Sequence, residues 1–287
     1  MRAQAYAAGT VINALATNIG CAFGIKLKTK VKISVEDELK KCVVEGEKQE
    51  ENLIVNRVLM SAGIKGAVEI ESEIPKGCGL GSSSAFMNAL LVAVMKLKKE
   101  ELDAYRILTA NARISLESGI SYTGAFDDAS ASLLGGFCIS NNSKMRLYRR
   151  DVTSGKALIL IPNWGRGEVS LDKIREESAE IEKAVKEALE GRYGDAMLLN
   201  SSFYCRKLEY SIAPLERIKN CKVHAGLSGN GPAFVAFGKK NELKEVEEIW
   251  ADFGKLIWSE LAEKPSEDVI IPDHLFFNYS HSSNFLH

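Results

Sequence analysis

Residues 75–85 are the part of the chain best suited to chemistry, because they combine three closely spaced glycines with three serines. The stretch reads Pro-Lys-Gly-Cys-Gly-Leu-Gly-Ser-Ser-Ser-Ala and continues into a largely apolar run that ends at Leu97. Glycines tolerate positive φ, so the loop can turn several backbone N–H groups toward one point, and a helix N-terminus leaves further donors free. Converging donors of this kind bind phosphate. A serine-capped turn between a strand and a helix is the competing interpretation.

Carboxylates stand at two places downstream of this loop. Glu117 falls in the last turn of a predicted helix, where the helix dipole disfavours negative charge, so its position suggests a function. The alternative is an ion pair with Arg113, four residues earlier. Asp127 and Asp128 follow in the segment Gly-Ala-Phe-Asp-Asp-Ala, where one of them could cap a short helix over 129–134.

A second glycine-rich stretch, residues 226–233, reads Gly-Leu-Ser-Gly-Asn-Gly-Pro-Ala between two short predicted strands. Taken alone, it predicts a turn. Two common nucleotide-binding signatures are absent from the chain. The Gly-x-Gly-x-x-Gly dinucleotide motif fails because Ser84 stands where the third glycine is required, and no Gly-Lys-Ser/Thr follows a glycine loop.

The motifs together resemble those of the GHMP kinases, a family that includes galactokinase, homoserine kinase and mevalonate kinase. Residues 75–85 resemble the family's ATP-binding motif, and Ser-Gly-Asn-Gly-Pro at 228–232 resembles its third motif. The resemblance implies ATP as a cofactor. It assigns to ATP the residues Pro75, Lys76, Gly77, Cys78, Gly79, Leu80, Gly81, Ser82, Ser83, Ser84, Ser228, Gly229, Asn230 and Gly231. Asn52 is a candidate contact to adenine, and an ordinary position near a helix N-terminus is the equal alternative.

The resemblance also implies a Mg²⁺ ion and a catalytic base. Ser83 and Glu117 would bind Mg²⁺, and Asp128 would accept the proton of the acceptor hydroxyl. Asp128 lies eleven residues after Glu117 and seven before Gly135, which is the spacing in mevalonate kinase. Asp127 would then cap the helix or support its neighbour. No lysine stands in the segment 8–13, where the family often has one, so Mg²⁺ and the loop would neutralise the phosphates.

Within the family, the opening Ala-x-Gly-Thr-Val-Ile-Asn-Ala-x-Ala-Thr and the Gly-Ala-Phe-Asp-Asp-Ala segment look most like the archaeal type of shikimate kinase. The reaction implied is transfer of the γ-phosphoryl group of MgATP to the 3-hydroxyl of shikimate. The alternatives are a kinase for another small alcohol, such as mevalonate or homoserine, and a non-catalytic binding or sensor protein of the same fold. The residues do not identify the cation that would bind the carboxylate of shikimate, nor the oligomeric state.

The elements that must position these residues predict an α+β fold. Residues 25–35 alternate between apolar side chains and lysines, which predicts a strand with one solvated face. A strand over 66–72 leads to the glycine loop. Helices are predicted over 51–62, 85–97, 100–117, 170–191 and 195–209, and further strands over 145–150, 157–161, 222–225 and 233–237.

The GHMP resemblance implies two lobes. The N-terminal ATP-binding lobe would span 1–153, and a ferredoxin-like C-terminal lobe would span 154–271. A tail over 272–287 carries three of the four histidines at irregular spacing, which predicts loose order and no metal site.

Bulk composition gives no electrostatic reason to expect binding to nucleic acid or to an anionic membrane, so work on small molecules is the default expectation. The net charge is −1, with 46% hydrophobic and 26% charged residues. Six dispersed cysteines with no Cys-x-x-Cys pair predict reduced thiols. No signal peptide or transmembrane run is evident, so we expect a cytoplasmic protein.

Overall fold

The computed structural model describes residues 1–35, 42–44, 47–49 and 53–277. In these residues the chain forms two β-sheets with helices packed against them. The strands are β1 (Arg2–Ile12), β2 (Ile19–Val35), β3 (Cys42–Val44), β4 (Glu47–Gln49), β5 (Gly66–Ser72), β6 (Phe137–Asn141), β7 (Arg146–Asp151), β8 (Lys156–Pro162), β9 (His224–Leu227), β10 (Phe234–Gly238) and β11 (Gly254–Glu260). The helices are α1 (Leu53–Ser61), α2 (Ser82–Leu97), α3 (Ala104–Glu117), α4 (Phe126–Leu134), α5 (Leu171–Arg175), α6 (Ala179–Leu189), α7 (Tyr193–Lys207), α8 (Ala213–Glu216) and α9 (Lys240–Trp250).

The larger sheet has seven strands organised around the long strand β2. Its order is β4-β3-β5-β2-β6-β7, and β1 also pairs with β2. Strand β2 is antiparallel to β1, β5 and β6. As the alternation predicts, Ile25, Val31 and Ile33 are buried, whereas Lys26 and Lys30 are exposed. The strand begins at residue 19, six residues earlier than predicted, because its first part pairs with β6.

Helix α2 is the central helix of the N-terminal lobe and is buried along most of its length. It begins at Ser82, three residues before the predicted start, because the serines belong to its first turn and Gly81 is the N-cap. The polar Asn88 is fully buried and donates a hydrogen bond to Ala129 O at 2.8 Å. Helix α2 is thereby tied to α4, which carries the two aspartates.

The smaller sheet is antiparallel, with the order β11-β8-β10-β9. The chain passes from the larger sheet to the smaller one between β7 and β8, where the predicted boundary at 153/154 falls. The single helix predicted over 170–191 is wrong, because the segment is divided into α5 and α6. None of the helices within the described ranges is both long and apolar enough to cross a membrane.

The end of the chain returns to the N-terminal lobe. Ala104 N donates to Ile270 O at 2.8 Å, and Phe277 N donates to Leu147 O at 2.8 Å. Leu275 is fully buried. Residues 272–277 of the segment that the sequence predicts to be loose are thus packed on α3 and β7, and the rest of that segment, 278–287, lies outside the described residues.

Candidate active site

The glycine-rich loop before α2 has the backbone geometry of a phosphate-binding nest. Gly77, Gly79 and Gly81 have φ values of 72°, 80° and 65°, whereas the intervening Cys78 and Leu80 are not among the positive-φ residues. This alternation turns successive N–H groups toward the same side. The loop ends at the N-terminus of α2, where further N–H groups lack intrahelical partners. The expectation of positive φ at these glycines is confirmed.

The second glycine-rich motif, in the C-terminal lobe, packs directly on this loop. Ser228 Oγ donates to Gly79 O at 2.8 Å, and Ala233 N donates to Cys78 O at 3.2 Å. The approach is so close that a Cβ on Gly79 would lie 2.1 Å from Ser228 O. The two motifs are therefore in direct contact, and the contact excludes a side chain at position 79.

The end of β1 completes the junction of the two motifs. Thr10 N donates to Ser228 Oγ at 3.2 Å, and Thr10 Oγ1 accepts from Gly229 N at 2.8 Å. Asn13 Nδ2 donates to Gly229 O at 3.0 Å and to Asn230 Oδ1 at 2.8 Å. Strand β1 thus ties the loop of one lobe to the motif of the other.

These three segments surround a cavity of about 210 Å³. It is polar, and hydroxyl, amide and carboxylate groups reach it from both lobes. It is lined by Thr10, Asn13, Ala14, Leu15, Gly77, Gly79, Leu80, Gly81, Ser82, Ser83, Ser84, Ser115, Ile120, Ser121, Tyr122, Thr123, Ala125, Asp127, Asp128, Arg166, Gly229 and Asn230. The phosphate-binding loop and both aspartates therefore belong to one cavity.

The two aspartates lie in the first turn of α4. The predicted helix over 129–134 with an aspartate as its cap is wrong, because the helix begins at Phe126 and the cap position is Ala125, at φ 47°. A carboxylate in a first turn is stabilised by the helix dipole. Both carboxylates are thus held by one rigid helix at the wall of the cavity.

Asp127 is held by a buried asparagine. Asn142 Nδ2 donates to Asp127 Oδ1 at 2.8 Å, and Asp127 N donates to Asn142 Oδ1 at 3.2 Å. Ser140 Oγ also donates to Asn142 Oδ1, at 2.7 Å. Burial raises the pKa of Asp127, and the hydrogen bond from Asn142 opposes that rise. Asp127 therefore has the supporting position that the sequence suggests for it.

Asp128 is the more accessible of the two carboxylates, being half-buried where Asp127 is buried. Burial raises its pKa well above the ordinary range, and the charge of Asp127 raises it further. A carboxylate with a raised pKa is a stronger base than an exposed one, so Asp128 is suited to accept a proton.

The structure places most of the predicted ATP residues at this cavity, but not all of them. Nine of them line it: Gly77, Gly79, Leu80, Gly81, Ser82, Ser83, Ser84, Gly229 and Asn230. Five others do not line it: Pro75, Lys76, Cys78, Ser228 and Gly231. Ser228 instead holds the glycine loop through its hydrogen bond to Gly79 O. Asn52 lies outside the described residues.

Glu117, the predicted Mg²⁺ ligand on α3, also lies outside the cavity. Its carboxylate is about half-exposed and forms an ion pair with Arg57, not with Arg113. Ser115, two residues earlier on α3, lines the cavity. Two residues correspond to about 200° of rotation around a helix, so Glu117 points to the opposite side. The structure therefore places Glu117 outside the cavity, and its role as a Mg²⁺ ligand stays a prediction.

Arg166 is the main cavity residue that the sequence did not indicate. It lies in the loop between β8 and α5 and is the one cationic side chain among the described residues that line the cavity. Arg166 and the glycines of the loop line the same cavity. Burial raises the pKa of the Cys78 thiol, and the charge of Arg166 opposes that rise. A single arginine in an irregular loop has no periodicity that could have revealed it.

The cavity offers oxygen ligands and no preformed metal cluster. In the ranges that the structure covers, no group of three or more histidine, cysteine or acidic side chains could hold a metal ion. Ser83 is exposed at the start of α2, and the Asp127 and Asp128 carboxylates line the same cavity. Hydroxyl and carboxylate oxygens suit a hard cation such as Mg²⁺, which ordinarily keeps waters and phosphate oxygens as its other ligands.

Residues 41–136 match the family described as GHMP kinases N terminal domain. The chain is also similar along its length to curated archaeal proteins. It is 51% identical to a shikimate kinase of Archaeoglobus fulgidus, over 96% of this chain and 98% of that protein. It is 35% identical to a shikimate kinase of Methanosarcina acetivorans, over 88% of this chain and 90% of that protein.

Among solved structures, the chain resembles the mevalonate kinase of Methanococcus jannaschii. The TM-score is 0.72 at 16% identity, and the match covers 91% of this chain and 98% of that one. At this identity the likeness concerns the fold. The α+β architecture of two lobes expected from the motifs is confirmed.

Proposed function

The chain belongs to the shikimate kinases of the GHMP kinase family, and on that premise we propose that it transfers the γ-phosphoryl group of ATP to the 3-hydroxyl of shikimate. The observation that carries the proposal is that the glycine loop and Asp128 line one cavity. Phosphoryl transfer requires positioning and charge neutralisation more than covalent work by the protein. A phosphate nest and a carboxylate base in one enclosed space meet that requirement.

The glycine loop binds the phosphates through its backbone. The N–H groups of residues 77–81 and of the first turn of α2 donate to phosphate oxygens, and the partial positive charge of the helix N-terminus adds to their attraction. The hydrogen bond from Ser228 Oγ to Gly79 O holds the loop in this form, and Thr10 N in turn donates to Ser228 Oγ.

Asp128 accepts the proton of the acceptor hydroxyl. Its raised pKa strengthens it as a base, and Asp127 stays beside it with its own carboxylate fixed by Asn142. Removing the proton makes the hydroxyl oxygen nucleophilic toward the phosphoryl group. The proton moves to the Asp128 carboxylate, and ADP leaves with the electron pair of the broken P–O bond.

Arg166 supplies positive charge to the transferring group. Arg166 lines the cavity together with the glycine loop, and the neighbouring Gly167 is anchored by its N–H, which donates to Tyr210 Oη at 2.6 Å. A guanidinium binds phosphate oxygens through two parallel hydrogen bonds. Because segment 8–13 contains no lysine, Arg166 is our candidate for the protein's own cation at the phosphates.

Mg²⁺ would be held by the Ser83 hydroxyl and by the phosphates themselves. When bound, it neutralises charge on the phosphate oxygens. Ser83 lines the cavity, whereas Glu117 pairs with Arg57 outside it, and these positions support Ser83 rather than Glu117 as the proposed ligand.

The proposal is tested by a coupled ADP-release assay with MgATP and a panel of shikimate, mevalonate, homoserine and galactose. We expect turnover with shikimate alone. Asp128→Asn should lower kcat about 10²- to 10⁴-fold, the usual contribution of a general base, while an ATP analogue still binds. Turnover with another alcohol would refute the acceptor assignment, and nucleotide binding without any turnover would favour a sensor protein.

A further inference from the structure

The loop that joins β1 to β2, residues 13–18, is held by side chains of the C-terminal lobe. Asn13, Ala14 and Leu15 line the cavity, so the shape of this loop is part of the shape of the binding site. Three side chains from α5 and α7 bond to its backbone. None of these three belongs to the residues that line the cavity.

Tyr204 of α7 makes the most specific of these contacts. Its hydroxyl donates to Asn13 O at 3.1 Å and accepts from Ala16 N at 3.1 Å. Tyr204 is fully buried, so neither backbone group has water as a ready substitute partner. One phenolic oxygen therefore fixes the two ends of the segment 13–16.

Asn200, one helical turn before Tyr204 on α7, fixes the same segment from its first residue. Its Oδ1 accepts from Asn13 N at 2.9 Å. The amide must present oxygen here, because a backbone N–H can only donate. In this orientation the buried Nδ2 has no partner among the described residues. An unsatisfied buried donor is destabilising, so the amide holds Asn13 while its own second group stays unpaired.

Arg175 of α5 adds an outer contact, since its Nε donates to Leu15 O at 3.4 Å. The hydrogen bonds from these three side chains reach three residues of the loop: Asn13, Leu15 and Ala16. The three side chains all come from the C-terminal lobe, whereas the loop connects two strands of the N-terminal sheet.

We propose that Tyr204 and Asn200 are positioning residues that shape the acceptor side of the cavity and thereby set the affinity for the acceptor alcohol. The inference rests on the proposed function, which gives the phosphates to the glycine loop at 77–84. Loop 13–15 is then the part of the cavity wall that remains to contact the acceptor. The glycine loop is bonded to Ser228 and not to residues 13–15. Asn13 reaches the second motif only through its side chain, at Gly229 O and Asn230 Oδ1, whereas Tyr204 and Asn200 bond to the loop backbone, so we expect their loss to act mainly on the acceptor side.

The test is steady-state kinetics of Tyr204→Phe, which removes one oxygen and keeps the buried ring. We expect the KM for shikimate to rise about 3- to 10-fold, the equivalent of one net hydrogen bond, while the KM for ATP stays within about twofold. Asn200→Ala, which deletes the contact to Asn13 N, should shift the same parameter in the same direction.

Tyr148→Phe is the matched control, since Tyr148 lies on β7 and outside the cavity lining, and its KM values should equal those of the wild type. If Tyr204→Phe raises both KM values equally, or lowers the melting temperature without changing either, the positioning role is refuted. If Tyr204→Phe is too unstable to assay, Arg175→Gln, at an exposed position, must raise the shikimate KM selectively or the inference fails. A wild-type protein without shikimate kinase activity would instead refute the proposed function.

Discussion

The Ser228 hydroxyl donates a hydrogen bond to the Gly79 carbonyl oxygen at 2.8 Å, and this contact joins the glycine-rich motifs of the two lobes. Ser228 Oγ also accepts from Thr10 N, so a single buried hydroxyl connects three segments. The conformation of the glycine loop therefore depends on both lobes, through contacts between residues that are far apart in sequence.

Gly79→Ala should abolish ATP binding, because the added Cβ would lie 2.1 Å from Ser228 O and position 79 has φ 80°. Gly77→Ala is the matched control, since its φ is 72° but nothing lies within 4 Å of the added Cβ. The control carries only the left-handed strain of about 1–2 kcal/mol. Calorimetric titration with an ATP analogue distinguishes them. Equal losses of affinity would contradict the role of the Gly79–Ser228 contact.

The activity should depend on the ionisation of Asp128 at a higher pH than an ordinary aspartate. Its pKa is raised by burial and by Asp127, and a base acts only when ionised, so kcat/KM should rise with pH through that raised value. The measurement is a pH profile of kcat/KM. An acid limb in the ordinary aspartate range, near 4, would argue against Asp128 as the base.

Removing the Asp128 charge should stabilise the folded protein more at high pH than at low pH. The pKa of Asp128 is higher in the folded state than in the unfolded state. The stabilisation that Asp128 provides is therefore complete at pH values below the pKa of aspartate in the unfolded chain. It is lost as the pH rises through the raised pKa of Asp128 in the folded protein. Asp128→Asn should raise Tm at pH 8 more than at pH 5, by about 2–4 °C per kcal/mol gained. A constant Tm difference across this range would contradict the raised pKa.

Arg166→Gln should lower kcat about 10- to 100-fold, as expected for loss of charged hydrogen bonds to the phosphoryl group, with little change in the KM for shikimate. Arg166→Lys should recover part of the loss, because the charge remains but the paired hydrogen bonds do not. Arg217→Gln, which removes a surface arginine paired with Asp252, is the control. A raised shikimate KM at unchanged kcat would assign Arg166 to the acceptor carboxylate instead.

Ser83→Ala should raise the Mg²⁺ concentration needed for half-maximal activity, whereas Glu117→Gln should leave it within about twofold. The reason is position: Ser83 lines the cavity, and Glu117 pairs with Arg57 on the outside of α3. An exposed ion pair contributes about 0–1 kcal/mol, so Glu117→Gln should also leave the protein folded. A strong rise in the Mg²⁺ requirement of Glu117→Gln would restore the prediction made from spacing.

The sequence predicted the elements whose pattern is local. Strand β5 has the predicted bounds 66–72, because alternation defines both ends of a strand. The glycine loop was found because its φ values are a property of the residues themselves. Family spacing also placed Asp128 at seven residues before Gly135, and the structure puts it at the cavity.

The sequence could not predict the direction in which a side chain points or the contacts between residues that are far apart in the chain. The spacing from Glu117 to Asp128 does not state which way Glu117 points, and the rotation of α3 decides that. Helix α4 starts earlier than predicted because Ala125, its N-cap, adopts a left-handed conformation. That conformation is strained for alanine and persists because tertiary packing stabilises it. Tyr204 bonds to residues nearly 200 positions away, a pairing that no local pattern contains.

The last described segment of the chain has a consequence for synthesis on the ribosome. Residues 270–277 bond to α3 and β7, so they complete the packing of the lobe whose strands are made first. Domains generally fold as units while the chain emerges. Here the packing on α3 and β7 is incomplete until residues 270–277 have left the tunnel, and a nascent chain truncated before them would expose the surface that Leu275 covers.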